Sequence, residues 1–346
     1  MVHSGRFPPG VDRRLNKYAG TILIGGIFLC FSVMMYLTFC NMPCEDKTYG
    51  IFQEDLELVK SHSYWKKHIF AAKKSQAASV IIMVLSGPQN LERRDVIRET
   101  WLSNMPEDVM VKFLIGIKKL NKNDLRGVER ENSVHNDLLL LKNVEESYGG
   151  LTAKVVESFQ WVDKNVDFQF LLKVDDDSFV RLDTFLEELR FQPKERLYWG
   201  FFNGAARVKH SGKWKEKDWV LCDRYLPYAR GGGYVLSADL VHYITINSKF
   251  LQQFNSEDVS VGAWLGPLDI LRVHDPRFDT EFESRGCNNK YIVLHKQSPA
   301  NMREKFNTLK DIGVLCRKEE RKHLSYQYNW NAPPSLCCIR NDSTIP

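Results

Sequence analysis

The chain has 346 residues, 43% of them hydrophobic and 12% aromatic, and a net charge of +5 left by 48 basic and 43 acidic side chains. A hydrophobic fraction of that size builds a core and excludes a disordered tail, and the length allows one large domain or two small ones. The basic residues are not gathered into dense runs interleaved with aromatics, so no nucleic-acid partner is expected.

Residues 19–39 carry no charge, and about 21 residues at 1.5 Å each are enough to cross a bilayer core of about 30 Å. Arg13, Arg14 and Lys17 precede this segment, and Glu45 and Asp46 follow it. The asymmetry predicts a cytosolic tail over 1–18, a single transmembrane helix over 19–39 and everything later on the luminal side. A cleaved signal peptide is the alternative. The apolar run exceeds the roughly 7 to 15 residues of a signal core, and no small-residue cleavage site follows, which favours a retained anchor. Residues 40–76 are polar and mixed in charge and read as a stem, leaving 77–346 as the luminal domain.

An oxidising lumen changes how the eight cysteines are read. Cys30, Cys40 and Cys44 lie in or near the span, whereas Cys222, Cys287, Cys316, Cys337 and Cys338 fall in the luminal part. An odd number there leaves one free or paired elsewhere, the spacing does not match a zinc ribbon, and adjacent Cys337 and Cys338 are expected to enter two different bridges. Asn341-Asp342-Ser343 is a glycosylation sequon, so a glycan on Asn341 is expected.

In chain order, 79–85 reads as a buried strand, Gly87-Pro88 as a breaker, 91–101 as a helix and 111–116 as a second strand, the order of a βαβ unit with a parallel sheet. A short strand over 137–142 follows, then a turn at 148–150, then a helix with Leu151, Val155, Phe159 and Val162 on one face. The apolar run 168–174 ends in three consecutive carboxylates, Asp175, Asp176 and Asp177. Alone, such a triplet is a solvated turn as readily as a metal site. Its place at the end of a strand in an already assembled sheet favours a ligand crevice. Beyond it come short strands at 197–202 and 219–220, and then Arg230 followed by Gly231, Gly232 and Gly233. The glycines read either as a tight bend or as a place where backbone N–H groups approach a ligand closely. A strand over 235–237 and a helix over 238–247 come next. Glu257 and Asp258 open another helix, 291–295 is a strand ending in His295, and 303–322 is a basic helical stretch with a solvated face.

Four segments, in this order behind the anchor, resemble the β-1,3-galactosyl- and N-acetylglucosaminyltransferases of the Golgi. They are Arg-x-x-Ile-Arg-x-Thr-Trp at 94–101, the acidic segment 173–180, the glycine segment 231–237, and Glu257-Asp258-Val259 with Gly262. Residues 274–280 and 332–335 are similar to those members that act on the proteoglycan linkage region. Two departures stand out: Tyr228-Ala229-Arg230 lacks the cysteine many relatives carry there, and Ala153 replaces a leucine of Leu-Thr-Leu-Lys.

The resemblance implies a GT-A type nucleotide-sugar fold, a Rossmann-like open α/β sheet, in a Golgi type II membrane enzyme. It implies transfer of galactose from UDP-galactose, with inversion, to a galactose of the Gal-Xyl-Ser linker, and complexes with other linkage-region transferases. Asp177 and His295 would bind the metal, and Asp175 or Asp176 the nucleotide ribose or a metal-bound water. An imidazole with carboxylate and phosphate oxygens suits Mn²⁺. Asp258 would be the general base, with Glu257 as the alternative or as an acceptor-orienting group, and Arg98 would lie near the nucleotide. Trp199, Trp214 and Trp219 are candidates for stacking on sugars or for core packing. An N-acetylhexosaminyltransferase of the same fold, or a catalytically silent lectin, are the other readings of such a chain.

Overall fold

The computed structural model describes residues 74–341 and 343–346. The segment 19–39 expected to be the anchor, most of the stem, and Cys30, Cys40 and Cys44 lie outside the described residues. Among the described residues no helix is long and apolar enough to cross a membrane.

The chain opens with β1 (Val80–Leu85), α1 (Leu91–Glu99), β2 (Val109–Gly116), α2 (Lys122–His135), β3 (Leu138–Leu141), α3 (Leu151–Asn165) and β4 (Phe170–Asp175). The second half holds β5 (Phe179–Val180), α4 (Leu182–Leu189), β6 (Leu197–Asn203), β7 (Tyr228–Ser237), α5 (Ala238–Asn247), α6 (Glu257–Leu265), β8 (Leu271–His274), β9 (Phe278–Asp279), β10 (Val293–Leu294) and α7 (Pro299–Ile312). One sheet runs in the order β8-β6-β7-β4-β1-β2-β3 and a smaller one in the order β9-β10-β5. In the main sheet β3, β2, β1 and β4 are mutually parallel, whereas β7 is antiparallel to both β4 and β6. The fold is thus a mixed α/β structure around a central sheet.

The sequence dictates the layers. β1 is Val-Ile-Ile-Met-Val-Leu, buried throughout, and its side chains alternate between two cores. Val80, Ile82 and Val84 pack with Val96 and Ile97 of α1, while Ile81, Met83 and Leu85 pack with Val155, Phe159 and Val162 of α3. A strand covered by helices on both faces has to be apolar at every position, and this one is. Helix ends follow local chemistry. Asn121 accepts from the N–H groups of Asn123 and Asp124 to start α2, and Ser298 with Pro299 starts α7, which stops at Gly313 with φ 72°.

Several expectations need correction. Residues 219–220 lie in a loop, where Trp219 packs against Tyr225 and Phe254 rather than pairing in a ladder. The glycines at 231–233 make no bend: they sit inside the ten-residue strand β7, in register with β4 at Val174 and Gly233. The basic stretch 303–322 is helical only to Ile312, and Glu320–Arg321 instead pairs with Gly286–Cys287. Among the described residues Cys337 and Cys338 bridge to each other, Cys287 and Cys316 pair together, and Cys222 is free and exposed. Asn341 is exposed.

One close approach fixes where α6 lies. A Cβ on Gly262 would stand 2.4 Å from Cβ of Tyr228 at the start of β7, so only glycine lets this helix reach the strand. Gly262→Ala is expected to cost about 1–3 kcal/mol by overpacking. An unchanged urea midpoint would contradict the contact.

Candidate active site

The sheet order reverses at β1, with β2 and β3 on one side and β4 on the other, so the crevice beyond the carboxyl ends of β1 and β4 is a topological switch point. Leu85 and Asp175 are partners at those ends. Here the three carboxylates part company. Asp176 turns inward: it is 5% exposed and accepts from Ser86 Oγ at 2.8 Å, Asn90 Nδ2 at 2.7 Å and Arg93 Nη1 at 2.9 Å. Burial raises its pKa against the pull of those donors. Expected beside a ribose or a metal-bound water, Asp176 is instead the tie between the acidic turn and the start of α1.

Asp175 and Asp177 turn the other way and meet His295, each offering a ligand atom within 4.8 Å of the others. His295 Nε2 lies 2.9 Å from Asp177 Oδ1 and 3.3 Å from Asp175 Oδ2. It is nevertheless buried without an aligned hydrogen-bond partner. The second ring nitrogen, Nδ1, faces the carbonyl of Glu281 at 3.4 Å, the outer partner that would keep the proton on Nδ1 and the lone pair on Nε2. A buried imidazole nitrogen beside two carboxylate oxygens, with no aligned hydrogen bond to either, fits a divalent cation once its proton is displaced. The acids are held ionised. Burial would raise the pKa of each, but Lys173 and His295 bring Asp175 well below the carboxylate range, and His295 lowers Asp177. For His295 burial acts to lower the value, and the two aspartates outweigh it, raising the imidazole to about 9. Lys296 Nζ stands 3.4 Å, and Arg93 Nη1 3.7 Å, from Asp177 Oδ2.

The glycines explain how His295 fits. A Cβ on Gly232 would lie 2.6 Å from Cγ of His295, and one on Gly233 would lie 2.8 Å from Val293 Cγ1. Gly232 and Gly233 therefore make room for the imidazole and for β10, a different use from the close ligand approach expected of them. Ser178 Oγ donates to the carbonyl of Gly232 at 2.7 Å, closing the acidic turn onto the same strand.

Gly231 carries the link to Asp258: its N–H donates to Asp258 Oδ2 at 2.9 Å, and Val259 N–H donates to Oδ1 at 2.9 Å. Asp258 is half-buried, and burial raises its pKa although Lys173 acts the other way. Glu257, beside it, is committed elsewhere. It is 5% exposed and accepts from Lys173 Nζ at 2.6 Å and from the Tyr234 hydroxyl at 2.8 Å. Burial pushes it up to about 7.

Lys173 was not foreseen. Its ammonium, 1% exposed, also donates to Asp175 Oδ1 at 2.8 Å and to the carbonyl of Gly231 at 2.5 Å. All three of its hydrogens are used. The available signal was a lysine inside an apolar strand, which has to find anionic partners to be buried there.

Three further groups are bound within the protein. Arg98 does not join this group: its guanidinium is bound to Asp95, Glu131 and Asp137 at 2.6 to 2.8 Å, and Arg93 on the same helix reaches the acidic turn instead. Trp199 is fully buried, packs with Phe185 and donates to Asp275 at 3.1 Å, whereas Trp219 donates to the carbonyl of Cys222 at 2.8 Å. The segment 274–280 stitches the sheet edge, with Arg277 bound to Glu188 and Asp275. Of the three tryptophans, Trp214 has its ring open to solvent, at 37% exposure.

Comparison with known proteins identifies relatives of the chain. A family model described as Galactosyltransferase matches residues 92–276, a span that contains Asp175, Asp177 and Asp258 and stops short of His295. Beta-1,3-galactosyltransferase 6 of Mus musculus is 45% identical over 96% of this chain and 98% of its own length. UDP-GalNAc:beta-1,3-N-acetylgalactosaminyltransferase 2 of Xenopus tropicalis is 29% identical over 64% of this chain and 43% of its own length. Among solved structures, a mannosyltransferase of Pyrobaculum calidifontis in complex with GDP-Man and Mn²⁺ covers 61% of each chain at a TM-score of 0.34 and 11% identity. With the family match running over more than half of its residues and the mouse relative over nearly all of them, the chain belongs to the galactosyltransferase family.

Proposed function

We propose that the chain is an inverting β-1,3-galactosyltransferase that moves galactose from UDP-galactose to the galactose of a Gal-Xyl-Ser linker, in a GT-A type domain anchored in the Golgi membrane. The observation that carries this is the pairing of two groups across one glycine segment. Asp175, Asp177 and His295 gather on one side of β7, and Asp258 is held on the same strand through Gly231. Support comes from the mouse relative, whose name is that of a β-1,3-galactosyltransferase and of which 98% is covered. The linker acceptor rests on the resemblance of residues 274–280 and 332–335.

Inversion needs one base. The acceptor 3-hydroxyl attacks the anomeric carbon, its proton passes to Asp258, and the bond to the diphosphate oxygen breaks with its electron pair leaving on UDP. Two backbone N–H groups orient the Asp258 carboxylate, and its raised pKa strengthens it as a proton acceptor. Asp175, Asp177 and His295 would hold Mn²⁺, which when bound supplies positive charge to the departing diphosphate. An imidazole among oxygen donors suits Mn²⁺ better than Mg²⁺ or Ca²⁺. The Xenopus relative's name favours an N-acetylhexosamine donor as the second reading, and a panel of UDP-sugars separates the two.

Asp258→Asn is expected to bind UDP with Mn²⁺ as before and to lose turnover by about 10²- to 10⁴-fold; normal turnover would move the base elsewhere. A ligating His295 has to give up its proton, and the metal-free imidazole is raised to about 9. Below that value each bound Mn²⁺ displaces a proton, so affinity should climb by about tenfold per pH unit as pH rises. A pH-independent Mn²⁺ affinity measured by calorimetry would remove His295 from the ligand set.

A further inference from the structure

Two exposed aromatic rings stand at the mouth of this site without a role so far. Trp214, 37% exposed, and Phe282, 60% exposed, meet edge to face with centroids 5.2 Å apart and planes at 86°. Exposed apolar residues are common singly, but here two rings in contact lie beside the acidic turn, and paired apolar surface next to a site is where a ligand is expected.

Their neighbours fix where they lie. Phe282 is within 6.0 Å of Lys296 Nζ, whose ammonium is 3.4 Å from Asp177 Oδ2. On the other side, Lys213 Nζ is 4.5 Å from the ring of Tyr148. Tyr148 adjoins Gly149, where a Cβ would lie 3.7 Å from Oδ1 of Asn255, three residues before Asp258. The consecutive residues Lys213 and Trp214 thus span from the side of Asp258 to the side of Asp177.

The loop that carries them is anchored. Glu216, 7% exposed, accepts from the N–H groups of Asn255, Lys217 and Asp218, and the carbonyl of Lys213 accepts from Asn255 Nδ2 at 3.3 Å. Asn255 immediately precedes Ser256 and α6, so the loop is tied to the element that presents Asp258.

We infer that Trp214 and Phe282 form a platform for a pyranose ring of the acceptor glycan, roofed onto the site by the loop 204–224. A pyranose offers an apolar C–H face to an aromatic ring and hydroxyls to the polar groups around it, and Lys213 and Lys296 flank the platform as donors. The inference rests on the glycosyltransferase reading above and extends it to the acceptor side.

The test uses the full-length chain in detergent, with UDP-galactose, Mn²⁺ and a galactosyl-xyloside as acceptor. Trp214→Ala is expected to raise the acceptor KM by about tenfold, an effect of the size an aromatic contact supports, with donor KM unchanged, and Trp214→Phe to recover most of it. Phe282→Ala should behave as Trp214→Ala does. A rise confined to donor KM, or no change in either, overturns the platform. Saturation-transfer NMR of the same acceptor keeps the two readings apart. Acceptor binding that Trp214→Ala weakens, without any transfer, retains the platform and removes the galactosyltransferase assignment; transfer indifferent to Trp214→Ala does the reverse. If the wild-type chain neither binds nor glycosylates the acceptor, both fall.

Discussion

The ammonium of Lys173 lies inside the sheet, on a strand whose neighbours Leu172 and Val174 are fully buried. A charge in that position has to be matched, and Lys173 meets three acceptors from three parts of the chain: Asp175 at the strand end, Gly231 in the glycine segment and Glu257 at the start of α6. Breaking such a buried set by removing one partner costs about 3–5 kcal/mol, because the others keep their charge without compensation. One interaction therefore sets the separation between the acids that face His295 and the helix that carries Asp258. Two carboxylates share a single ammonium here, and Asp177 meets His295 and Lys296, so the acids at the edge of the sheet are balanced by bases until His295 gives up its proton.

Backbone closeness is the second constraint, and the first depends on it. Lys173 can reach the carbonyl of Gly231 and the carboxylate of Glu257 together only because α6 comes down onto β7 at Gly262 and Tyr228. His295 can lie against the same strand only because Gly232 offers no Cβ to its ring. Packing with no spare volume turns these glycines into positioning devices: a methyl group at either place moves a helix or an imidazole.

Much of this was legible in the residues. The unbroken apolar run of β1, the 3.6-residue stripe of α3 and the carboxylates ending β4 are physical signatures of a parallel sheet with a switch-point crevice. The sorting inside the triplet was not legible, because whether Asp176 faces in or out depends on Ser86, Asn90 and Arg93 arriving from another strand and helix. Arg98 shows the same limit. Its motif drew it toward a nucleotide, and the carboxylates of α2 and the following turn, distant in sequence, claimed its guanidinium. Local pattern reveals which groups exist at a strand end, and only tertiary contact decides which of them are already satisfied.

Lys173 holds the acids that face His295 and the carboxylate of Asp258 in one arrangement, and a single pair of titrations on Lys173→Met in the full-length chain tests this most directly. Mn²⁺-dependent UDP affinity and turnover are measured together, each normalised to the folded fraction from circular dichroism. The account predicts that both fall together, since Asp175 and the Gly231–Asp258 link lose their common anchor. Wild-type affinity and turnover in the folded variant would contradict it and leave Lys173 as a contributor to stability alone.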